Sequence, residues 1–251
     1  MTIFERVKKL NFSTGEYVVI GAGILEALGI RNTNDVDIIV APKLFEKLRE
    51  SKKYKEEIRW GKIFLIGDEI EIGTKLDWEN YSTTIEEAID TATIIDEVPF
   101  LNIEETIKFK KAMDREKDFK DVELIEEYLK DSKNHSIQMK LQEKPFNLIK
   151  GGHKIIELRL YDEKRRDIKI GDIIEFSKLP DLVEKVKVEI TGLLTYKTFS
   201  ELIEVVPARD LGYTESDKED VKADMYKIYT KEEEEKYGVL GIKIKLCEKL
   251  K

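Results

Sequence analysis

Asp35 and Asp37 lie two positions apart in the apolar segment DVDIIV (residues 35–40), which has the composition of a β-strand. Side chains alternate between the two faces of a strand, so both carboxylates must point to the same face. Two like charges side by side repel, and they are costly to bury unless a cation lies between them. The pattern therefore leaves two interpretations: a solvated edge strand, or a cation-binding site.

A further acidic strand follows in the segment DEIEIGT (residues 68–74), where Glu69 and Glu71 share a face. We expect Glu71 to be the third carboxylate, because it lies between two isoleucines and so over the middle of the sheet. Three carboxylates could hold Mg²⁺ or Mn²⁺ in a two-metal arrangement for in-line phosphoryl chemistry. In that chemistry Glu71 would also help to deprotonate the attacking hydroxyl.

The glycine turn Gly21, Ala22, Gly23 lies upstream of the two aspartates, between the buried strand EYVVIGA and the short helix GILEALGI. Glycines let backbone N–H groups approach phosphate oxygens, and the helix that follows directs its positive end at them. The turn is therefore predicted to bind a nucleotide.

The remaining elements of the first half are an amphipathic helix at residues 42–54, a hairpin formed by KIFLIG and DEIEIGT, and helices from residue 85 onward. In the second half, a helix ending in glycines precedes several strands, which suggests a small, closed β-barrel. These strands are HKIIELRLY, DIIEFSK, VKVEITGLLTY and GVLGIKIKL. The polar segment LKDSKNHSIQ (residues 129–138) separates the halves, and we predict domains at 1–135 and 136–251.

The charge balance limits the partners of the first half. The chain has 44 Lys and Arg against 52 Asp and Glu, a net charge of −8. All of that excess lies in residues 1–135, which argues against broad capture of nucleic acid there but leaves room for a local basic groove. Cys247 is the one cysteine, and there is neither a signal-peptide pattern nor an apolar run of about 20 residues. We expect a cytoplasmic protein with no membrane partner.

A glycine turn followed about a dozen residues later by Asp-x-Asp resembles the minimal nucleotidyltransferase fold of the DNA polymerase β superfamily, in particular small AbiEii-like members. These often carry a helical element like KKAMDREKDFKD, and the resemblance implies that its positive face serves the triphosphate. The alternative is an ordinary solvated ion-pair helix. We expect Lys111, Arg115 and Asp118 to share one helical face, with Lys111 and Arg115 binding the nucleotide. The element also contains Lys117 and Asp121.

Ala22 departs from this family pattern, which has a serine after the first glycine. The serine hydroxyl helps to hold the terminal phosphates, so its loss favours weaker triphosphate binding or a domain that has lost catalysis.

Lys154, Glu157 and Arg159 cluster around a strand that follows a glycine turn in the second half. Glu157 and Arg159 share a face and could pair, whereas Lys154 points the other way unless the turn tilts it inward. Three charged residues at the start of a buried strand suggest a polar pocket. The adjacent loop adds Tyr161, which could stack on a base, and Arg165, although an exposed turn is an equal interpretation.

The second half strongly resembles the ASCH domain of the PUA-like fold, which implies RNA binding or RNA-related chemistry. Some members are amidohydrolases acting on acetylated cytidine that use a Lys followed three residues later by a Thr, a position held here by Glu157. We therefore expect binding of a nucleoside or RNA without that activity. The matching positions are Pro145, Phe146, Ile149, Gly152, Lys154, Ile156, Glu157, Arg159, Gly171, Asp172, Tyr237 and Gly238.

Together these features predict an α+β protein, with a nucleotidyltransferase-like α/β domain, a helical extension and a PUA-like barrel. The predicted function is Mg²⁺-dependent transfer of a nucleoside monophosphate from an NTP to a hydroxyl, with an RNA such as tRNA as acceptor. One alternative is an RNA- or nucleoside-binding protein whose first domain is catalytically degenerate. A scaffold in which both domains only mediate contacts is another.

Overall fold

The computed structural model describes residues 1–133 and 135–247, and its chain divides into two compact units, Met1–Tyr128 and Leu129–Lys251. The division falls within a helix that continues to Lys133, so the polar segment expected to begin a linker at residue 129 is helical over its first five residues.

The first unit is a mixed α/β unit. Its strands are β1 (Tyr17–Ile20), β2 (Val36–Val40), β3 (Lys55–Arg59), β4 (Lys62–Gly67), β5 (Ile70–Gly73), β6 (Leu76–Trp78), β7 (Tyr81–Thr83), β8 (Thr93–Ile95) and β9 (Val98–Phe100). Its helices are α1 (Ile3–Lys8), α2 (Gly23–Ala27), α3 (Pro42–Glu50), α4 (Ile85–Asp90), α5 (Ile103–Met113) and α6 (Glu116–Lys133).

The strands of this unit pair in the order β8-β9-β1-β2-β5-β4-β3, with β6 and β7 forming a separate hairpin. β1 runs antiparallel to β2, β2 runs parallel to β5, and β5, β4 and β3 form an antiparallel meander. One face of the sheet buries Ile38, Leu65 and Ile72 almost completely. The alternation of side chains therefore sends Asp37 and Glu71 to the other face.

Several short strands lie where no strand was predicted. β3 reads KEEIR, and β8 and β9 have three residues each. β3 pairs with β4 at the outer end of the sheet order, where charged side chains are exposed to water. Edge strands of this kind lack the apolar signal of a central strand.

Two helices replace the single helical face expected for Lys111, Arg115 and Asp118, so that prediction is wrong. Asp114 has a φ of 53° and ends α5 in the left-handed region, which a short polar side chain tolerates better than most residues. Arg115 lies in the connection, and α6 begins at Glu116.

A buried ion network joins the two helices. The Lys110 Nζ lies 2.7 Å from the Asp121 Oδ2 and 3.4 Å from the Asp118 Oδ1. Arg31 donates two further hydrogen bonds to Asp121, at 2.6 and 2.7 Å. Lys110 and both aspartates are almost fully buried, whereas the neighbouring Lys111 is exposed.

The second unit is built on five strands and short helices in the residues that the structure describes. The strands are β10 (Ser136–Leu141), β11 (Ile156–Leu160), β12 (Ile173–Lys178), β13 (Lys185–Tyr196) and β14 (Val239–Leu246). The helices are α7 (Glu143–Lys150), α8 (Phe199–Val205), α9 (Lys218–Tyr226) and α10 (Lys231–Tyr237), with single 3₁₀ turns at Ala208–Leu211 and Glu215–Asp217.

These strands pair in the order β10-β12-β13-β14-β11, and the pairs are antiparallel apart from β10 with β12. Phe146, Phe176 and Phe199 are fully buried in the core of this unit. Within residues 135–247 no backbone ladder joins the outer strands β10 and β11, so the hydrogen-bonded sheet is open there. The closed barrel stays a prediction.

We predict that Lys110→Met lowers the free energy of unfolding by about 3–5 kcal/mol, because it leaves Asp118 and Asp121 buried with less compensating charge. Lys111→Met is the matched control. It removes an exposed pair with Glu126, so we expect a change within about 1 kcal/mol. Urea unfolding of the two variants measures both values, and similar small losses would show that the buried network contributes little.

Candidate active site and candidate nucleic-acid interface

The register of the first unit places Asp37 beside Glu71. Asp37 lies opposite Ile20 of β1 on one side and opposite Glu71 of β5 on the other. Asp35 precedes β2 and is exposed, while Asp37 is half-buried. The negative charges of Asp35 and Glu71 both act on the Asp37 carboxyl. The fold thus brings together the three carboxylates that the sequence singled out.

The pKa of Asp37 reflects this crowding. Burial of the carboxyl group has the largest effect, followed by the negative charges of Asp35 and Glu71, and together they raise the pKa of Asp37 to about 6. The positive charges of Lys117 and Lys110 act in the opposite direction. A carboxyl group that is hard to ionise among other carboxylates marks a position that would bind a cation favourably.

Gly21 lies directly against this carboxyl. It has a φ of +67°, and a Cβ built on it would lie 2.6 Å from the Asp37 Oδ2. A side chain at position 21 would therefore both strain the backbone and displace Asp37. Gly23 has a packing role instead, since a Cβ there would lie 2.5 Å from the Val19 Cγ1. Ala22 precedes α2 and makes no side-chain hydrogen bond to it. Nucleotide binding by this turn stays a prediction.

Glu71 is engaged by a guanidinium group. Arg59 Nη1 donates to the Glu71 Oε2, and Arg59 also donates to Glu57 from Nε and Nη2 at 3.1 and 2.7 Å. No group of three or more His, Cys, Asp or Glu side chains is arranged to hold a metal ion in residues 1–133 and 135–247. Asp35 and Asp37 remain as candidate ligands, and Mg²⁺ is commonly held by one or two carboxylates together with substrate phosphates.

The cations predicted for the nucleotide are paired with carboxylates of α6 in the structure. The Lys111 Nζ is 3.1 Å from Glu126, and Arg115 donates to Asp118 at 2.5 Å. The lysines whose charge reaches Asp37 are Lys110 and Lys117. A sequence signal for Lys110 exists, because it follows Ile103 and Thr106 at the spacing of the buried helix face. Nucleotide binding by Lys111 and Arg115 stays a prediction.

In the second unit, Lys154, Glu157 and Arg159 do converge, and each is less than a tenth exposed. Glu157 and Arg159 share a face of β11 and form an ion pair. The Lys154 Nζ lies 3.3 Å from the Glu157 Oε2. Lys154 precedes the strand, and strict alternation does not apply there. The three side chains form a buried charge cluster with one carboxylate and two cations.

One oxygen of this cluster is unsatisfied. The buried Glu157 Oε2 has no hydrogen-bond partner, although Lys154 is near it. Tyr213, which the sequence did not indicate, lies close by: burial, the hydrogen bond to Asp224 and, more weakly, the charge of Glu157 raise its pKa. Lys144 lies over the Tyr213 ring, with its Nζ 4.7 Å from the centroid. A ligand that donates a hydrogen bond would satisfy the Glu157 oxygen.

The loop after β11 makes local contacts of the kind found in surface loops. Tyr161 is half-buried, and its backbone N–H donates to the Gly238 carbonyl oxygen at 3.0 Å. Arg165 pairs with Asp162 inside the same loop. Roles for Tyr161 and Arg165 in binding a base or an RNA stay predictions.

Comparison with known families decides the nature of the second unit. A family model described as the ASCH domain matches residues 139–248. This segment is an ASCH domain. The match confirms the resemblance inferred from the motif around Lys154, and an ASCH domain implies RNA binding. The family model leaves residues 1–138 unmatched, so the nucleotidyltransferase assignment of the first unit stays a prediction.

Two solved structures resemble the chain. The crystal structure of hypothetical protein PH0355 is 41% identical, with a TM-score of 0.39, and the match covers 45% of this chain and 99% of that one. The solution NMR structure of protein PF0455 from Pyrococcus furiosus is 36% identical, with a TM-score of 0.38 and coverage of 45% and 98%. A comparison with curated proteins gave no match. In the described part of the chain no helix has the length and apolar character needed to cross a bilayer.

We predict that Gly21→Ala destabilises the protein more than Gly29→Ala. Both glycines have a positive φ, and each substitution should lose about 1–2 kcal/mol from backbone strain. A Cβ at position 29 meets nothing within 4 Å, whereas one at position 21 collides with Asp37. Urea unfolding measures the difference, and equal losses would mean that the carboxylate moves away freely.

The raised pKa of Asp37 predicts a pH-dependent effect of Asp37→Asn. In the wild type, ionisation of Asp37 opposes folding, and this penalty is absent below about pH 4 and complete above about pH 6–7. We therefore expect Asp37→Asn to gain stability relative to wild type as the pH rises, by about 2 kcal/mol between pH 4 and 7.5. Chemical unfolding at both pH values measures this gain. Asp68→Asn, in the exposed turn before β5, should show none; a constant difference for Asp37→Asn would contradict the assignment.

Proposed function

We propose that the protein is a Mg²⁺- or Mn²⁺-dependent nucleotidyltransferase that uses an RNA as acceptor. The observation that carries the proposal is the position of Asp37, held between the Gly21 backbone and Glu71 with a pKa raised to about 6. A carboxylate placed at such electrostatic cost, against a glycine of a turn, is typical of a site that binds cations and phosphates rather than of a solvated strand.

Each candidate site residue of the first unit has a role in the proposed reaction. Asp35 and Asp37 would hold the divalent cation, which when bound neutralises charge on the phosphates. The absence of a side chain at Gly21 lets the Asp37 carboxylate lie directly against the backbone of the turn, and Lys110 and Lys117 add positive charge. Catalysis then consists of positioning and charge neutralisation.

The reaction forms one bond and breaks one bond. An acceptor hydroxyl oxygen attacks the α-phosphorus in line, the bond to the bridging oxygen breaks, and pyrophosphate leaves. The hydroxyl proton passes to a carboxylate, for which Glu71 is the candidate. Because Arg59 engages Glu71 in the structure, this role requires that ion pair to open or shift.

The ASCH domain supplies the reason to choose RNA as acceptor. Its cluster of Lys154, Glu157 and Arg159 contains two cations and an unsatisfied carboxylate oxygen. The cations suit a phosphate or a base carbonyl, and the carboxylate oxygen suits an amino group.

A second function is favoured by specific observations: an RNA-binding protein whose first unit has lost catalysis. Ala22 offers no hydroxyl to a phosphate, and Arg59 occupies the carboxylate of Glu71. Both features would lower affinity for a metal-bound triphosphate while leaving the ASCH domain intact.

Transfer of label from α-labelled NTPs to RNA tests the proposal. We expect labelled RNA with wild type and Mg²⁺, and a loss of at least about 100-fold for Asp37→Asn or Asp35→Asn, because each removes charge that the transition state needs. Asp68→Asn is the control for an acidic residue outside the site, and it should retain activity. Absence of label with every NTP, from folded protein that still binds RNA, would overturn the transferase in favour of the binding protein.

A further inference from the structure

The two tryptophans of the chain lie together on the first unit, and one of them is open to solvent. The ring centroids of Trp60 and Trp78 are 5.2 Å apart, with the rings nearly perpendicular. Trp60 also meets Phe64 edge to face, at 6.2 Å. It is nevertheless 67% exposed. Neither neighbour is stacked parallel on the Trp60 indole, and its exposure leaves a large part of the ring open to a ligand.

The backbone holds Trp60 in a conformation that its side chain does not favour. Trp60 and Gly61 connect β3 to β4, with φ values of 51° and 72°. Two-residue hairpin turns with both φ values positive favour Asn-Gly or Gly-Gly, because a bulky side chain is strained there. The turn alone therefore does not account for a tryptophan, and a large exposed indole in a strained position is a candidate for binding.

The aromatic group lies on the same sheet face as the candidate active site. The register places Arg59 opposite Lys62 and Ile66 opposite Glu71, so Arg59, Lys62 and Glu71 share a face. Arg59 links the two regions, because it pairs with Glu71 and lies over the Phe64 ring, 5.9 Å from the centroid. From Ile66 to Lys62 is four residues, about 13 Å along the strand.

The strand β3 and the residues next to it differ in charge from the rest of the first unit. Residues 52–62 carry five cationic side chains against two carboxylates, within an otherwise acidic half of the chain. Lys55 and Arg59 pair with Glu57, and Lys55 lies about 16 Å along the strand from Trp60. Lysines at that spacing suit the phosphates of an extended single strand whose base stacks on the ring. Lysine is depleted in protein–protein interfaces, which favours a nucleic acid over a second protein as the occupant.

We propose that Trp60, in perpendicular contact with Trp78, is a stacking platform for a base of single-stranded RNA, and that Lys52, Lys53 and Lys55 bind phosphates further along the same RNA strand. The platform would hold one base of the acceptor strand, a short distance along that strand from the hydroxyl that reacts. The inference rests on the proposed function in taking the acceptor to be RNA and the reaction to occur at Asp37.

Intrinsic fluorescence of the full chain tests the platform. Both tryptophans lie in the first unit, so RNA bound only to the ASCH domain leaves the signal unchanged unless it reaches that unit. In a Trp78→Phe variant Trp60 is the single reporter. We expect a single-stranded oligouridylate to quench its emission, and duplex RNA or UTP at equal nucleotide concentration to quench it far less.

Affinity for the same oligouridylate gives the second readout. Trp60→Ala should raise Kd by about tenfold or more, and Trp60→Phe by much less, because a phenyl ring still stacks. Ile58→Ala is the matched control: Ile58 is 77% exposed on β3, on the sheet face opposite that of Arg59 and Glu71, so its Kd should equal that of wild type. Equal Kd values for Trp60→Ala and Ile58→Ala, absence of quenching, or quenching by UTP as strong as by RNA would each overturn the proposal.

The two proposals fail separately. One informative result is that RNA quenches the tryptophan fluorescence of Asp37→Asn as it does that of wild type, while neither protein transfers label. That result would support the stacking platform and overturn the transferase. If wild type transfers label, and Trp60→Ala transfers it as efficiently as Ile58→Ala at limiting RNA, the result supports the transferase and overturns the stacking platform.

Discussion

Repulsion between carboxylates on neighbouring strands is the constraint on which the first unit depends. Parallel pairing of β2 with β5 sets Asp37 beside Glu71, and Asp35 adds a third negative charge. Such a cluster persists only if the surrounding structure compensates for it. The compensation comes from Arg59, which engages Glu71, and from Lys110 and Lys117, whose charges act on Asp37. Asp37 itself keeps a raised pKa, so the compensation is incomplete.

The same logic explains why α5 and α6 are joined by buried ions. Lys110 could not lie near Asp37 without losing its hydration, and Asp118 and Asp121 provide the opposite charges that make its burial tolerable. Arg31 completes the network through Asp121 and also lies within electrostatic reach of Asp35. Charged side chains of the helices thus stabilise charged side chains of the sheet, so the candidate site and the helices next to it are electrostatically coupled.

The buried charge cluster of the ASCH domain has a net charge opposite in sign to that of the carboxylate cluster in the first unit. It holds two cations and one carboxylate, so its net charge is positive where that of the first unit is negative. A cluster with net positive charge suits phosphate and carbonyl oxygens of RNA, whereas a cluster of carboxylates suits cations. Within an acidic chain, the two units thus carry clusters of opposite sign.

Several local elements and the ASCH motif could be predicted from the sequence alone. β1, β2 and α7 lie within or overlap the predicted segments, and the family match confirms the motif around Lys154. These succeed because alternation, helical spacing and turn residues are local properties of the chain. The sequence also indicated that Glu157 and Arg159 share a face, which is a consequence of strand period alone.

Which charged side chains come into contact depends on strand pairing and packing. Only pairing of β2 with β5 puts Asp37 next to Glu71, and the left-handed residue Asp114 breaks the helix that was expected to align Lys111 with Arg115. Arg59 and Trp60 belong to β3 and its turn, an edge hairpin with little apolar signal, and the sheet register lets Arg59 pair with Glu71. Long-range electrostatics depends on distances between residues far apart in the chain, and those distances follow from strand register and packing rather than from local pattern.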